Sequence, residues 1–281
     1  MRNNTLSLLC GFLFFVPVAI TSSLLSAQTF VSRPAFSDGE NLRFNLYFSW
    51  KFIWVKAGEA EMFVEDTLLF NTKMHKMTLL CSTNKFADPL FRMRDTLVTV
   101  LSEDMRPHYY RKAADEGGYY NLNEVRYNYL PGGRVEVWQS YLRNNKSIAV
   151  YEQELNEQAY DMMSLLAYAR TVDFSSLDVG EYVIFPVADL YAVELQKLIY
   201  RGRKRVKVDD GTYYNCLYIS LVRKYKGKER SVVDFYVTDD ANHIPVLLNF
   251  RLNFGSAKAR LVEKSGILHS CDSLSDMISK K

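Results

Sequence analysis

The sequence has few of the residues that build metal centres, redox sites and common catalytic motifs. Its 281 residues include only four cysteines and four histidines, and these do not recur at the spacings CxxC, HxH, HxxxH or HExxH. It also contains no GxSxG element and no glycine-rich phosphate loop. We therefore predict no metal site, no cofactor and no catalytic residues. A non-enzymatic function is favoured, although a catalytic site assembled from distant residues leaves enzymatic activity open.

A strong net charge is also missing. The chain has 35 lysine and arginine residues against 32 aspartate and glutamate residues, a formal net charge of +3. Such a balance creates no overall field that attracts a polyanion, so no nucleic acid partner is predicted.

The N terminus resembles a cleaved export signal. Arg2 precedes an apolar run from Leu6 to Leu25, and the small residues Ser26 and Ala27 follow it. We predict that residues 1–27 are a signal peptide and that the protein is exported, to the periplasm or the envelope. A retained membrane anchor is the alternative.

Three cysteines remain after this leader: Cys81, Cys216 and Cys271. An odd number in an oxidising compartment leaves at least one thiol unpaired. Cys81 and Cys216 are a candidate disulfide, and two buried free thiols are an equally compatible interpretation.

The strongest pattern in the mature chain is the alternation of apolar and polar residues. Leu42, Phe44, Leu46, Phe48 and Trp50 fall on one face of a predicted strand, and polar residues fall between them. Similar runs recur, separated by turn residues such as Pro131-Gly132-Gly133. Gly58 interrupts one run and predicts a bulge or a close backbone approach. The fold class is therefore all-β, with one antiparallel sheet that curves toward a half-barrel.

One helix is predicted inside this all-β chain. Residues 156–171 are apolar on nearly every side, which indicates a helix packed against or inside the sheet. Because no linker divides the chain, we predict a single β domain over residues 28–262. Residues 263–281 have little apolar periodicity and are predicted to form a peripheral tail.

Short motifs follow one another in an order that resembles a known family. They are Gly39-Glu40-x-Leu42, Gly58-x-Ala60, the run from Asp88 to Asp95, Asp161-x-x-Ser164-Leu165-Leu166-x-x-Ala169-Arg170, Val179-Gly180, Gly202-Arg203, and Pro245-Val246 before Gly255. Together they resemble the bacterial family called domain of unknown function 3108. The resemblance implies an exported Gram-negative envelope protein and supplies no catalytic residues. More distantly, the chain is similar to periplasmic lipoprotein carriers and receptors, whose half-barrels wrap an apolar cavity.

Two groups of candidate binding residues follow. Phe44, Phe48, Trp50, Trp54 and Met163 are candidates to line an apolar cavity, with core packing as the alternative. Candidates for an anionic group are Arg92, Arg94, Arg203 and Arg205. For these arginines the alternatives are ion pairs that hold a loop and ordinary solvated strand faces.

The leading hypothesis is a non-enzymatic envelope protein that binds a lipid or a lipoprotein acyl chain in the concave face of the sheet. A structural or assembly factor that binds another envelope protein is the alternative, and peripheral membrane contact fits either class. A hydrolase of envelope glycan is a third class, for which Glu59 and Glu61 are a weak carboxylate pair. An apolar cavity favours the first class, a solid interior with an exposed apolar rim the second, and convergent carboxylates in a cleft the third.

Overall fold

The computed structural model describes residues 35–50, 53–69, 71–144, 146–190, 192–225, 227–251 and 255–274. The predicted signal peptide lies outside these residues. Within them, fourteen antiparallel strands form one curved, unclosed sheet, accompanied by a single short α-helix. The prediction of an all-β fold with a curved antiparallel sheet is confirmed.

The strands follow the alternating segments of the sequence. They are β1 (Asn41–Trp50), β2 (Ile53–Leu69), β3 (Thr72–Thr83), β4 (Met93–Ser102), β5 (Pro107–Glu116), β6 (Tyr119–Tyr129), β7 (Val135–Arg143), β8 (Lys146–Leu155), β9 (Tyr182–Asp189), β10 (Ala192–Lys207), β11 (Tyr213–Tyr225), β12 (Lys228–Thr238), β13 (Pro245–Arg251) and β14 (Ser256–Ser265). The helix α1 (Met162–Ala169) and a short 3-10 turn (Phe174–Ser176) lie between β8 and β9.

The first and last strands join the two halves of the chain. The sheet order is β8-β7-β6-β5-β4-β3-β2-β1-β14-β13-β12-β11-β10-β9, so β1 pairs with β14 near the middle. Since each strand runs antiparallel to its neighbours, the turns alternate between two ends of the sheet. We call the end with the turns at 84–92, 117–118 and 227 the upper end. The end with the turns at 103–106, 130–134 and 239–244 is the lower end.

The concave side of the sheet is filled by a packed apolar core. Leu42, Phe44 and Met62 of the central strands are almost fully buried, and so are Met163 and Leu165 of α1. These side chains belong to one continuous cluster of buried residues. The helix thus contributes to the core, as its apolar surface predicts.

A bulge interrupts the pairing of β1 with β2. Leu46 lies opposite Gly58 and Tyr47 opposite Lys56, so Ala57 is an extra residue in β2. A Cβ atom on Gly58 would lie 2.0 Å from the carbonyl oxygen of Ser82 in β3. The predicted bulge and the predicted close backbone approach are both present.

The helix is shorter than the predicted 156–171. Asp161 is its N-cap and accepts hydrogen bonds from the backbone N–H groups of Met163 and Ser164, at 2.9 and 2.8 Å. The preceding residues are extended because Tyr160 pairs with the edge of β9, where its N–H donates to Pro186 and its carbonyl accepts from Ala188. Apolar composition could not distinguish this tertiary pairing from helix.

The C-terminal segment is attached to the sheet within its described part. The backbone N–H of Asn215 donates to the carbonyl of Ser273, and the side chain of Asn242 donates to the carbonyls of His269 and Ser270. Residues 275–281 of the predicted tail lie outside the described residues. Along the described chain, no helix is long and apolar enough to cross a membrane.

The cysteine side chains are thiols. Cys81, Cys216 and Cys271 are all free, so the candidate disulfide between Cys81 and Cys216 is wrong. Burial raises the pKa of both the Cys81 and the Cys216 thiols to about 12. Each thiol therefore stays protonated and unreactive, which agrees with the alternative of buried free cysteines.

Candidate functional site

The structure does not bring the predicted cavity residues together. Phe44 and Met163 are packed in the core, at 4% and 1% exposure, and Phe48 is half-buried. Trp54 lies opposite Ser49 and is 44% exposed, on the outer face of the sheet that also carries Tyr47. For Trp50, the backbone ends β1 and the side chain lies outside what the structure describes.

The arginines of the Asp88–Asp95 run hold a loop. Arg94 donates to both carboxylate oxygens of Asp88, at 3.0 and 2.7 Å, and also to Thr83. The hydroxyl of Thr83 also donates to Asp88, and the hydrogen bonds from Arg94 first and then from Thr83 lower the pKa of Asp88 to about 2. Arg92 forms an ion pair with Asp115 at 3.1 Å. The loop-holding alternative therefore describes Arg92 and Arg94.

The arginines of the basic strand β10 also have partners. Nε of Arg203 donates to Asp239 at 2.6 Å. The guanidinium of Arg205 lies 4.3 Å from the centroid of the Tyr213 ring. Both side chains are exposed, and these contacts fit a solvated strand face.

The loop that these ion pairs hold presents apolar side chains to solvent. In this upper loop, residues 84–92, the exposed fractions are 74% for Phe86, 84% for Leu90 and 51% for Phe91. The backbone is fixed by Asn84, whose side chain donates to the Lys56 carbonyl and accepts from two N–H groups of the loop. A rigid loop that exposes three large apolar groups is unusual unless another surface covers them.

Aromatic and cationic groups surround the upper loop. Tyr119, the first residue of β6, is 52% exposed, and its ring centroid lies 5.2 Å from Cζ of Arg143. Among the described residues, the exposed cations Lys85, Arg143, Lys146 and Lys228 of this end form no ion pair. The upper end therefore exposes apolar groups together with these four cations, and its exposed carboxylates include Asp189 and Glu194.

A small cavity opens below this end. It measures about 120 Å³ and is lined by Lys112, Ala114, Glu116, Asn121, Asn123, Tyr141 and Leu190. Asp95 lies opposite Ala114 of β5, and Glu116 is two residues further along that strand, on the same face. Burial first, and then Glu116, raise the pKa of Asp95 to about 7. The side-chain oxygen Oδ1 of Asp95 and that of Asn123 are buried without a partner.

The carboxylates predicted as a weak glycosidase pair, Glu59 and Glu61, are each engaged by a neighbouring side chain. Glu59 binds Lys56 and Glu61 accepts from Asn41. In the described part of the chain, no group of three or more histidine, cysteine or carboxylate side chains is arranged to hold a metal ion.

The raised pKa of Asp95 makes stability depend on pH. Because the folded state holds the proton of Asp95 more tightly than the unfolded chain, this site stabilises most at low pH, and the contribution is lost as the pH rises through 7. Between pH 5 and pH 8 we expect the wild type to lose about 2 to 3 kcal/mol of unfolding free energy relative to Asp95→Asn.

Urea unfolding of both proteins across this range measures the difference, with exposed Asp104→Asn as the control. Parallel pH profiles of wild type and Asp95→Asn would contradict the raised pKa of Asp95.

A larger pocket lies on the outer face of the central strands. It measures about 390 Å³, and its lining residues are Tyr47, Trp54, Asp209, Lys258 and Arg260. It thus contains Trp54 of the predicted cavity residues, and its other components come from β1, β14 and the turn after β10.

A family model matches residues 43–262 of the chain, described as a protein of unknown function (DUF3108). The chain belongs to the DUF3108 family. No curated protein matches this DUF3108 chain. Among solved structures, it is similar to a beta-barrel-like protein of domain of unknown function DUF1849 from Brucella abortus, with a TM-score of 0.51 and 10% identity. The similarity covers 82% of this chain and 98% of the other, and it shows the fold alone.

Sequence reasoning missed most of the groups that mark these sites in the DUF3108 chain. The sequence did contain a signal for the exposure of Phe86 and Leu90, because these large apolar residues lie between two predicted strands and not within one. Lys258 and Arg260 had none, since their pocket depends on Asp209, about fifty residues away in the chain. The raised pKa of Asp95 likewise depends on burial in the folded sheet and on Glu116 of the neighbouring strand.

Proposed function

We propose that this chain is an exported, non-enzymatic envelope protein that binds the surface of an anionic lipid membrane through its upper end. The observation that carries the proposal is the upper loop, in which Phe86, Leu90 and Phe91 face solvent on a backbone held by Asn84 and the ion pair of Asp88 with Arg94. This changes the expected position of the lipid from the concave face to one end of the sheet. A filled core with an exposed apolar loop also fits the alternative of a protein partner, and the exposed cations beside the loop are the reason to propose an anionic membrane.

The chemistry of the upper end suits a lipid interface. Each large apolar side chain contributes about 1.5–3 kcal/mol when it leaves water completely, and partial insertion contributes less. Each cation near an anionic leaflet adds about 1 kcal/mol. Exposed Lys85, Arg143 and Lys146 lie at the same end as the apolar loop and form no ion pair within the described chain. Apolar insertion and electrostatic attraction therefore both favour the orientation in which the upper end faces the membrane.

The filled core argues against an acyl chain held inside the sheet. Phe44, Met163 and their neighbours pack against one another in a continuous cluster. The small cavity near the upper end measures only about 120 Å³. Ligand pockets are usually about 300 Å³ or larger.

Vesicle flotation tests the proposal directly. Mature protein is mixed with vesicles of phosphatidylglycerol and phosphatidylcholine, or of phosphatidylcholine alone, and the bound fraction is measured. We expect binding to the anionic vesicles, weakened by added salt. The double variant Phe86→Ser and Leu90→Ser should weaken it at least tenfold, because it removes the two most exposed apolar groups of the loop.

Leu68→Ser is the matched control, since Leu68 is 72% exposed but lies near the lower end. It should bind like the wild type. Equal weakening by both variants, or no binding of the wild type to anionic vesicles, would overturn the proposal. If the wild type does not bind anionic vesicles, a protein partner at the same loop becomes the hypothesis to test.

A further inference from the structure

The outer pocket combines two cations with two aromatic walls. Nζ of Lys258 lies 4.1 Å from the centroid of the Trp54 ring, and CZ of Arg260 lies 5.7 Å from that of Tyr47. Lys258 and Arg260 are two residues apart on β14, so both project from the same face of the sheet. Tyr47 is the direct cross-strand neighbour of Lys258.

The single carboxylate of the pocket is already engaged. One oxygen of Asp209 accepts hydrogen bonds from Asn45 at 2.7 Å and from the hydroxyl of Tyr47 at 2.5 Å. The other accepts from NH1 of Arg260 at 3.2 Å. Asp209 therefore neutralises one of the two cations and fixes the position of the Tyr47 ring.

Lys258 and Arg260 have charge and hydrogen-bond donors that no described residue uses. Nε of Arg260 is buried and has no hydrogen-bond partner in the described chain. Lys258 forms no ion pair among the described residues, and burial together with the nearby charge of Arg260 lowers its pKa. A buried donor without an acceptor and two cations with one counter-charge both favour an added anion.

We infer that the outer pocket binds a phosphate-bearing ligand, whose phosphate contacts Lys258 and Arg260 and whose apolar or aromatic part lies against Trp54. The volume of about 390 Å³ accommodates a group larger than phosphate alone. Because Trp54 is 44% exposed, part of its surface is available to such a group. The site lies on the outer face and is independent of the upper loop, so it can exist whether or not the protein binds membranes.

Binding of phenyl phosphate and inorganic phosphate tests this site by calorimetry, with tryptophan fluorescence as a second readout. We expect phenyl phosphate to bind more tightly than inorganic phosphate, because only the former reaches the aromatic wall. Lys258→Gln should weaken phenyl phosphate binding at least tenfold. Lys76→Gln, which removes an exposed lysine paired with Glu65 on β2, is the control and should leave binding unchanged.

Failure of the wild type to bind either phosphate would overturn the inference. So would equal affinity of wild type and Lys258→Gln, or equal weakening by Lys76→Gln. Equal affinities for the two phosphates would overturn the role of Trp54. Each of these results is independent of vesicle flotation, since the probes are soluble and the upper loop is unchanged.

Discussion

Glu40→Gln should lower the free energy of unfolding by about 3 to 5 kcal/mol, because it leaves the charge of Arg170 buried without a counter-charge. Both side chains have 0% exposure, and the two guanidinium–carboxylate contacts measure 2.5 and 2.9 Å. The same guanidinium also donates to the carbonyls of Ala35 and Asn242. The change therefore weakens the contact between the end of α1, the segment before β1 and the turn after β12.

Urea unfolding followed by circular dichroism measures this loss. The matched control is Glu154→Gln, which removes the pair with Arg134 at 2.6 Å, where both side chains are 45% exposed. An exposed pair of this kind contributes about 1 kcal/mol or less. If the two variants lose similar stability, the contact between Glu40 and Arg170 does not hold the lower end together.

This ion pair connects two of the motifs on which the sequence resemblance rests. Glu40 belongs to the first motif and Arg170 to the end of the helix motif, 130 residues later. Within the helix motif, Asp161 and Ser164 form a reciprocal capping box. In this chain these motif residues make structural contacts, and they point to no chemistry.

Local patterns predicted the sheet well. Alternation at Leu42 to Phe48 marked a strand whose inner residues are indeed buried or half-buried, and the Pro131-Gly132-Gly133 turn joins β6 to β7. Such signals succeed because they depend only on neighbours in the chain. The start of α1 depended on the pairing of Tyr160 with β9, and no local pattern reports that contact.

The position of Trp54 shows how one residue changes a binding prediction. Ala60 and Met62 face the core, and uninterrupted alternation would place Trp54 on the same inner face. The extra residue Ala57 shifts the register by one, so Trp54 faces outward and lines the outer pocket. The sequence did predict a bulge or a close backbone approach at Gly58. It could not show that the extra residue would lie in β2 without a matching one in β1. This mismatch is what turns Trp54 outward.

Gly58→Ala should therefore have a large effect on both stability and the outer pocket. The added Cβ would lie 2.0 Å from the Ser82 carbonyl oxygen and 2.9 Å from the Cα of Thr83, both backbone atoms of β3. Neither atom can move without shifting the central strands, so we expect a loss of about 3 kcal/mol or more in the free energy of unfolding.

Gly132→Ala provides the comparison, because Gly132 has a φ of 80° and no atom within 4 Å of the added Cβ. It should cost only about 1 to 2 kcal/mol, from the left-handed backbone conformation. A folded Gly58→Ala protein should also bind phenyl phosphate more weakly, since the bulge positions Trp54 beside Lys258. If Gly58→Ala costs no more than Gly132→Ala, the close approach of β2 to β3 is absent, and the outward orientation of Trp54 loses its structural basis.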